Sequence, residues 1–206
     1  LADFYDSPSH IFGSGEDGAV TISTNTTLTQ DKYYLDLTVD SGVTLNTAGY
    51  RVFVQRNLFL SGTIGMAAGP SAQGSLGIGT QDANVANSLG GASATYTATA
   101  PTAALGGEQW YKNALNAIDG YSFDPATGTI NLLKGGAGDG TNYGGGVVIV
   151  AARYLFGTGN VFAKGAVNAG GGVVILISSD KSHSYTVSAA GTGTGSAGNT
   201  YFLEAD

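Results

Sequence analysis

The chemistry open to this chain rests on few side chains. It has two histidines, His10 and His183, and no cysteine, which excludes thiolate nucleophiles, disulfides and Cys- or His-rich metal sites. A Ser/His/Asp system would need one of those histidines. His10 lies in the polar stretch Ser7-Pro8-Ser9-His10 with no acid or nucleophile placed to suggest a triad, and His183 lies in Asp180-Lys181-Ser182-His183-Ser184, which reads as a loop tip. Paired carboxylates are the next possibility, since glycoside hydrolysis needs two carboxyl groups roughly 5–10 Å apart. Glu108, Asp119, Asp124 and Asp139 are the nearest candidates, and they read as solvated loop acids, as do Asp17, Asp31, Asp36 and Asp40 on turns or outward strand faces. Gly135-Gly136-Ala137-Gly138-Asp139-Gly140 lacks the spacing of a dinucleotide loop and is one residue short of a calcium-binding repeat, so it reads as a flexible connection. No catalytic residue, metal or cofactor is expected.

Aromatic side chains offer a different chemistry. Trp110, Tyr111, Tyr121 and Phe123 fall within 14 residues, with Tyr143 further on. Flat rings stack on sugar faces, and Tyr and Trp are enriched at binding surfaces. These five are the candidate ligand-binding residues. The competing reading is that the rings pin their segment onto the rest of the fold or onto a neighbouring subunit.

Composition narrows the classes further. Of 206 residues 34 are glycine, about one in six, against roughly 7% in ordinary proteins. Charged residues make up only 11%, and the net charge is −7. Eight scattered basic residues form no patch for nucleic acid. The longest plainly apolar run, 147–152, ends at Arg153, far short of the ~18 residues that span a bilayer. The opening Leu1-Ala2-Asp3-Phe4-Tyr5-Asp6 has neither the basic nor the apolar region of a secretory signal. Hydrophobic residues at 42% argue for a packed chain.

What must position any site is a repeat. Residues 144–165 read GGGVVIVAARYLFGTGNVFAKG and residues 170–191 read GGGVVILISSDKSHSYTVSAAG, matching at an offset of 26 through Gly144/Gly170, Val147/Val173, Ile149/Ile175 and Val161/Val187. A weaker third copy, 51–69, has the same 19-residue length as 147–165 and 173–191 and the same ending, Ala two positions before Gly. Each copy breaks into short apolar runs between Gly, Asn and Ser. Upstream, Leu35-Asp36-Leu37-Thr38-Val39 alternates as a half-buried strand does. Two or three short strands per 20–26 residues is the arithmetic of a stacked-strand repeat. The expectation is one all-β domain over 1–206, a short β-solenoid (parallel β-helix-like); an antiparallel β-sandwich is the alternative. A β-rich N-terminal segment, 1–69, and the C-terminal repeats of 144–206 flank an insertion, 70–143. Within it, Trp110, Ala114, Ala117 and Ile118 share one helical face in a predicted helix over 107–118, and Thr129 to Leu133 reads as a strand after the turn at Asp124 to Gly128.

The glycine-rich opening from Gly13 to Ser23 is followed by Tyr33-Tyr34, Leu37-Thr38-Val39 and the run from Gly42 to Val54. With the GGGVVI copies and the terminal Gly198-Asn199-Thr200-Tyr201-Phe202-Leu203, it resembles glycine-rich virion proteins of tailed bacteriophages, of the tail-fibre, receptor-binding or capsid-appendage kind. The resemblance covers most of the chain outside 70–143 and carries no catalytic residues. It implies a multimeric β-rich appendage on the virion exterior, with other virion proteins as partners; a bacterial cell-surface adhesin is the alternative location. The insertion is less glycine-rich than in such relatives, so a polyglycine-helix tip is not implied. Exposed strand edges at the ends of a short stack are commonly buried by oligomerising, which predicts a homo-oligomer, a trimer first. Three functions follow as expectations: a non-enzymatic receptor-binding module that takes a host-surface glycan, a structural appendage or cement protein, and, last, a polysaccharide-degrading spike.

Overall fold

A computed structural model describes residues 9–67, 117–118, 121–124, 129–132, 145–180, 182–195 and 197–205. A single helical turn, α1 (Ser9–Phe12), is followed by β1 (Ala19–Ile22), β2 (Thr26–Thr27), β3 (Lys32–Tyr34), β4 (Asp36–Val39), β5 (Thr44–Asn46), β6 (Val52–Leu60) and β7 (Thr63–Ala67). Then come β8 (Tyr121–Asp124), β9 (Thr129–Leu132), β10 (Val147–Phe156), β11 (Asn160–Lys164), β12 (Val173–Ser178), β13 (Thr186–Ser188) and β14 (Asn199–Glu204). The fold is all-β. The helix predicted over 107–118 meets the described residues only at Ala117 and Ile118, which are helical; its remainder, the loop expected over 71–104 and the glycine run 135–140 lie outside them.

Apart from β3 and β4, which both lie on β6, and the separate β8–β9 pair, strands alternate between two sheets in chain order. The first sheet runs β1-β4-β6-β10-β12-β14, with β3 also on β6, and the second runs β2-β5-β7-β11-β13. Every neighbour in both is parallel, which overturns the antiparallel sandwich. Links of two or three residues join β6 to β7 and β10 to β11. They are too short for the crossover that returns a chain to its own sheet, so β7 and β11 fall in the sheet opposite β6 and β10. Between β7 and β10 the chain leaves and comes back beside the strands it left, β10 on β6 and β11 on β7.

The 26-residue offset is the observed register: Val147 lies against Val173, Ile149 against Ile175 and Val161 against Val187. It recurs once more, Val173 against Asn199 and Ile177 against Leu203, a copy hidden in the sequence because polar Asn, Thr and Tyr replace its aliphatic residues. The alignment of 51–69 is corrected. Equal lengths would set Arg51 on Val147, whereas Val52 pairs with Val150 and Ile64 with Val161, and the register shifts between Ala152 and Tyr154. A one-residue slip would have turned buried side chains to the wrong face. The glycines ahead of each copy allow close stacking: a Cβ on Gly172 would lie 1.9 Å from the carbonyl oxygen of Gly146.

Between the sheets, in-register ladders such as Leu45–Ile64–Val161–Val187 meet Val52–Val150–Leu176–Phe202. Each fully buried aliphatic contributes about 1.5–3 kcal/mol. A second cluster covers the first sheet's outer face: Phe53, Ile149, Ala151, Ile175 and Ile177 are buried with Ile11 and Phe12 of α1 and with Ala117 and Ile118. This is why β12 is buried at every position instead of alternating. Gly13 (φ +81°) ends α1 in the left-handed region and lets the turn lie against Phe53, whose Cβ would be 2.7 Å from an added Cβ. Arg51 ties this cover down, with its guanidinium bonded to Asp31 and donating to the carbonyl of Ile118 at 3.0 Å.

Candidate functional site

The carboxylates of the first sheet have structural work. Asp17 accepts the Tyr33 N–H at 2.7 Å and pairs with Lys32. Asp31 accepts the Arg51 N–H at 2.8 Å and pairs with its guanidinium. Asp36 accepts from Asn57 through Oδ1 and pairs with Arg56 through Oδ2. Each acid thus caps a backbone N–H on a neighbouring strand or its approach and neutralises a cation there. The Arg56 hydrogen bond holds Asp36 below the usual carboxylate range. Burial pushes Asp17 upward, but the bonds from Lys32 and Tyr33 outweigh it and leave it below that range. Acids held ionised this way are poor proton donors. Among the described residues no three His, Asp or Glu side chains gather as a metal site.

The open chemistry is aromatic. On the outer face, beyond the region covered by α1, Phe59 is 44% exposed, Tyr154 46% and Phe156 47%. Phe59 of β6 and Phe156 of β10 are register partners, and their rings stack at 5.2 Å with 20° between planes. Their outward direction follows from their neighbours, since Leu58 and Leu60 are wholly buried between the sheets. Ala152 and Leu155 both pack inward although three residues apart, so alternation breaks at the register shift and Arg153 and Tyr154 stand together outside the inner core. Tyr154 faces Asn57, which is bonded to Asp36 and lies next to Arg56. The result is a platform of three rings beside a polar edge of Asp36, Arg56, Asn57 and Arg153, all on a parallel sheet.

A cleft of about 340 Å³ opens at the β13 and β14 end of the stack, lined by Leu176, His183, Tyr185, Val187, Thr200 and Phe202 among others. It lies where β13 and β14 are the last strands of their sheets. His183 does not stand at a free loop tip: its ring stacks on Phe202 at 4.6 Å, and its Nδ1 accepts the Tyr185 N–H at 3.2 Å. Burial pushes its pKa below 6.5. The buried Tyr185 hydroxyl lies 3.0 Å from the carbonyls of both Leu58 and Phe156 and shares its one proton between them. Tyr185 therefore holds together the ends of β6 and β10 that carry the platform rings.

Of the five residues expected from sequence, Trp110, Tyr111 and Tyr143 lie outside the described residues. Tyr121 and Phe123 sit two apart on β8, paired antiparallel with Leu132 and Ile130 of β9. Of the candidate acids, Glu108, Asp119 and Asp139 lie outside them too, while Asp124 ends β8 opposite Thr129. His10 lies within α1. The platform is not among the sequence expectations, though one signal for it is present: Phe59 between two leucines, and Phe156 ending the matching strand. No protein family, curated protein or solved structure matches this chain.

Proposed function

We propose that the two parallel sheets are a short β-solenoid and that the chain is a non-enzymatic attachment module on a bacteriophage virion, binding the host cell surface. One observation carries the binding reading: three large rings, each nearly half exposed, gathered on a sheet face whose other half is buried. Single exposed apolar residues are ordinary, but a grouped aromatic patch on a rigid scaffold suits recognition. The ring stack with hydrogen-bonding groups at its edge fits a saccharide. The glycine-rich resemblance supports the virion exterior, and Asp17, Asp31 and Asp36 are committed to neighbouring N–H groups and cations and so are poorly suited to polysaccharide cleavage.

A structural appendage or cement protein is the second reading, favoured by the terminal strands β13 and β14 and the cleft they leave. There the contacts would be to other subunits of a homo-oligomer, a trimer first. Binding of fluorescently labelled protein to intact candidate host cells, with and without periodate oxidation of their sugars, separates the two. Periodate-sensitive binding is expected; no binding across a broad host panel would favour the structural role.

A further inference from the structure

Resting on the attachment reading, we propose that the platform takes an acidic saccharide, its ring faces on Phe59 and Phe156 and its carboxylate or other anionic group at Arg153. A neutral glycan site offers acceptors as well as donors to sugar hydroxyls, and here the one carboxylate of the platform is already occupied. Asp36 takes the backbone and side-chain N–H groups of Asn57 through Oδ1 and Arg56 through Oδ2. Asn57 turns its amide donor to Asp36, leaving its carbonyl oxygen as the edge's remaining side-chain acceptor. Arg153 has no ion pair among the described residues. Asp180, the acid in the loop after the neighbouring strand, has Oδ1 turned to its own chain, accepting the Ser182 N–H at 2.8 Å.

The backbone around Arg153 is fixed. Its carbonyl accepts from the Ser179 N–H at 3.2 Å and from the hydroxyls of Ser178 and Ser179 at 3.2 and 2.7 Å. The guanidinium carried on this fixed backbone, beside Tyr154 in the chain, has a planar fork of donors that matches a carboxylate. The chain as a whole carries −7, so long-range repulsion works against a polyanion and the affinity must come from the local pair and the rings.

The test uses the whole protein on immobilised polygalacturonate, hyaluronan and polysialic acid, each beside its carboxyl-reduced form. We expect at least one acidic polymer to bind and its reduced form to bind at least about tenfold more weakly, since a charge-assisted bond is lost. Arg153→Gln should erase that preference with the melting temperature unchanged, Arg153→Lys should restore some of it, and Phe156→Ala should weaken binding to both forms. Equal binding to acidic and reduced polymers, lost in Phe156→Ala, would overturn the anionic preference and leave the platform standing. Binding that depends on Arg153 and ignores Phe156 would overturn the platform itself. Failure of every polymer to bind overturns the proposal, and cell binding sensitive to Phe156→Ala would then still separate it from the attachment reading.

Discussion

Strand β6 carries two stacked aromatic pairs on one face, six residues apart, and they have opposite fates. Phe53 stacks on Tyr33 at 4.9 Å with planes 2° apart, and it is buried under α1 with Arg51 5.6 Å from its ring. Phe59 stacks on Phe156 at 5.2 Å and nearly half of each ring is exposed. Both pairs come from the same register logic, aromatic beside aromatic on neighbouring parallel strands. The difference lies in what the chain lays over them. The first has a helical turn, the segment at Ala117 and Ile118 and an arginine clamp; no described residue covers the second. Among the described residues, cover lies on one half of the face alone, and the same sheet leaves the rings of the other half exposed.

Removing the ring from each half should break the symmetry most sharply. Phe53→Ala should cost about 3–5 kcal/mol, the range for a buried ring with its cavity, whereas Phe59→Ala should cost about 0.5–1.5 kcal/mol, the worth of an exposed stack. Urea unfolding of the two variants measures this difference. Gly13→Ala tests the cover itself. The residue sits at φ +81° and an added methyl would meet Phe53, so a loss of about 1–3 kcal/mol is expected from strain, and Phe59→Ala should be additive with it because the sites are independent.

The smallest effect is one of pH. Burial favours neutral His183 in the fold, so its contribution to stability is complete above 6.5 and is lost as pH falls through the lower folded-state value. Protonation also removes the Nδ1 acceptor of the Tyr185 N–H. Melting curves between pH 8 and 5 should show a decline in the wild type that is reduced in His183→Gln. Asp17 and Asp36 lie below 3.8, and their own losses begin at lower pH, outside that window.

The repeat period and strand content are legible in the sequence because identical residues recur at a fixed offset, Val147 over Val173 and Val161 over Val187. Parallel pairing follows once each copy is known to lie on the last. The register of 51–69 is not legible, since the irregularity at Ala152 to Tyr154 changes the count without changing segment length. The second burial of the first sheet is half legible: VVIVAA and VVILI are apolar without alternation, as strands covered on both faces are, but which residues cover them depends on contacts distant in sequence. His183 reads as a loop tip because its stacking partner, Phe202, is nineteen residues away. The platform is hidden for the same reason, as Phe59 and Phe156 are separated by the whole insertion.

The most direct test of the central claim, that the open half of this face is a binding surface, is the double variant Phe59→Ala/Phe156→Ala measured for melting temperature and for binding to labelled host cells in one preparation. A melting temperature within a few degrees of wild type and binding reduced to background are expected. Wild-type binding by a folded double variant, or collapse of the fold with the two rings, would contradict it.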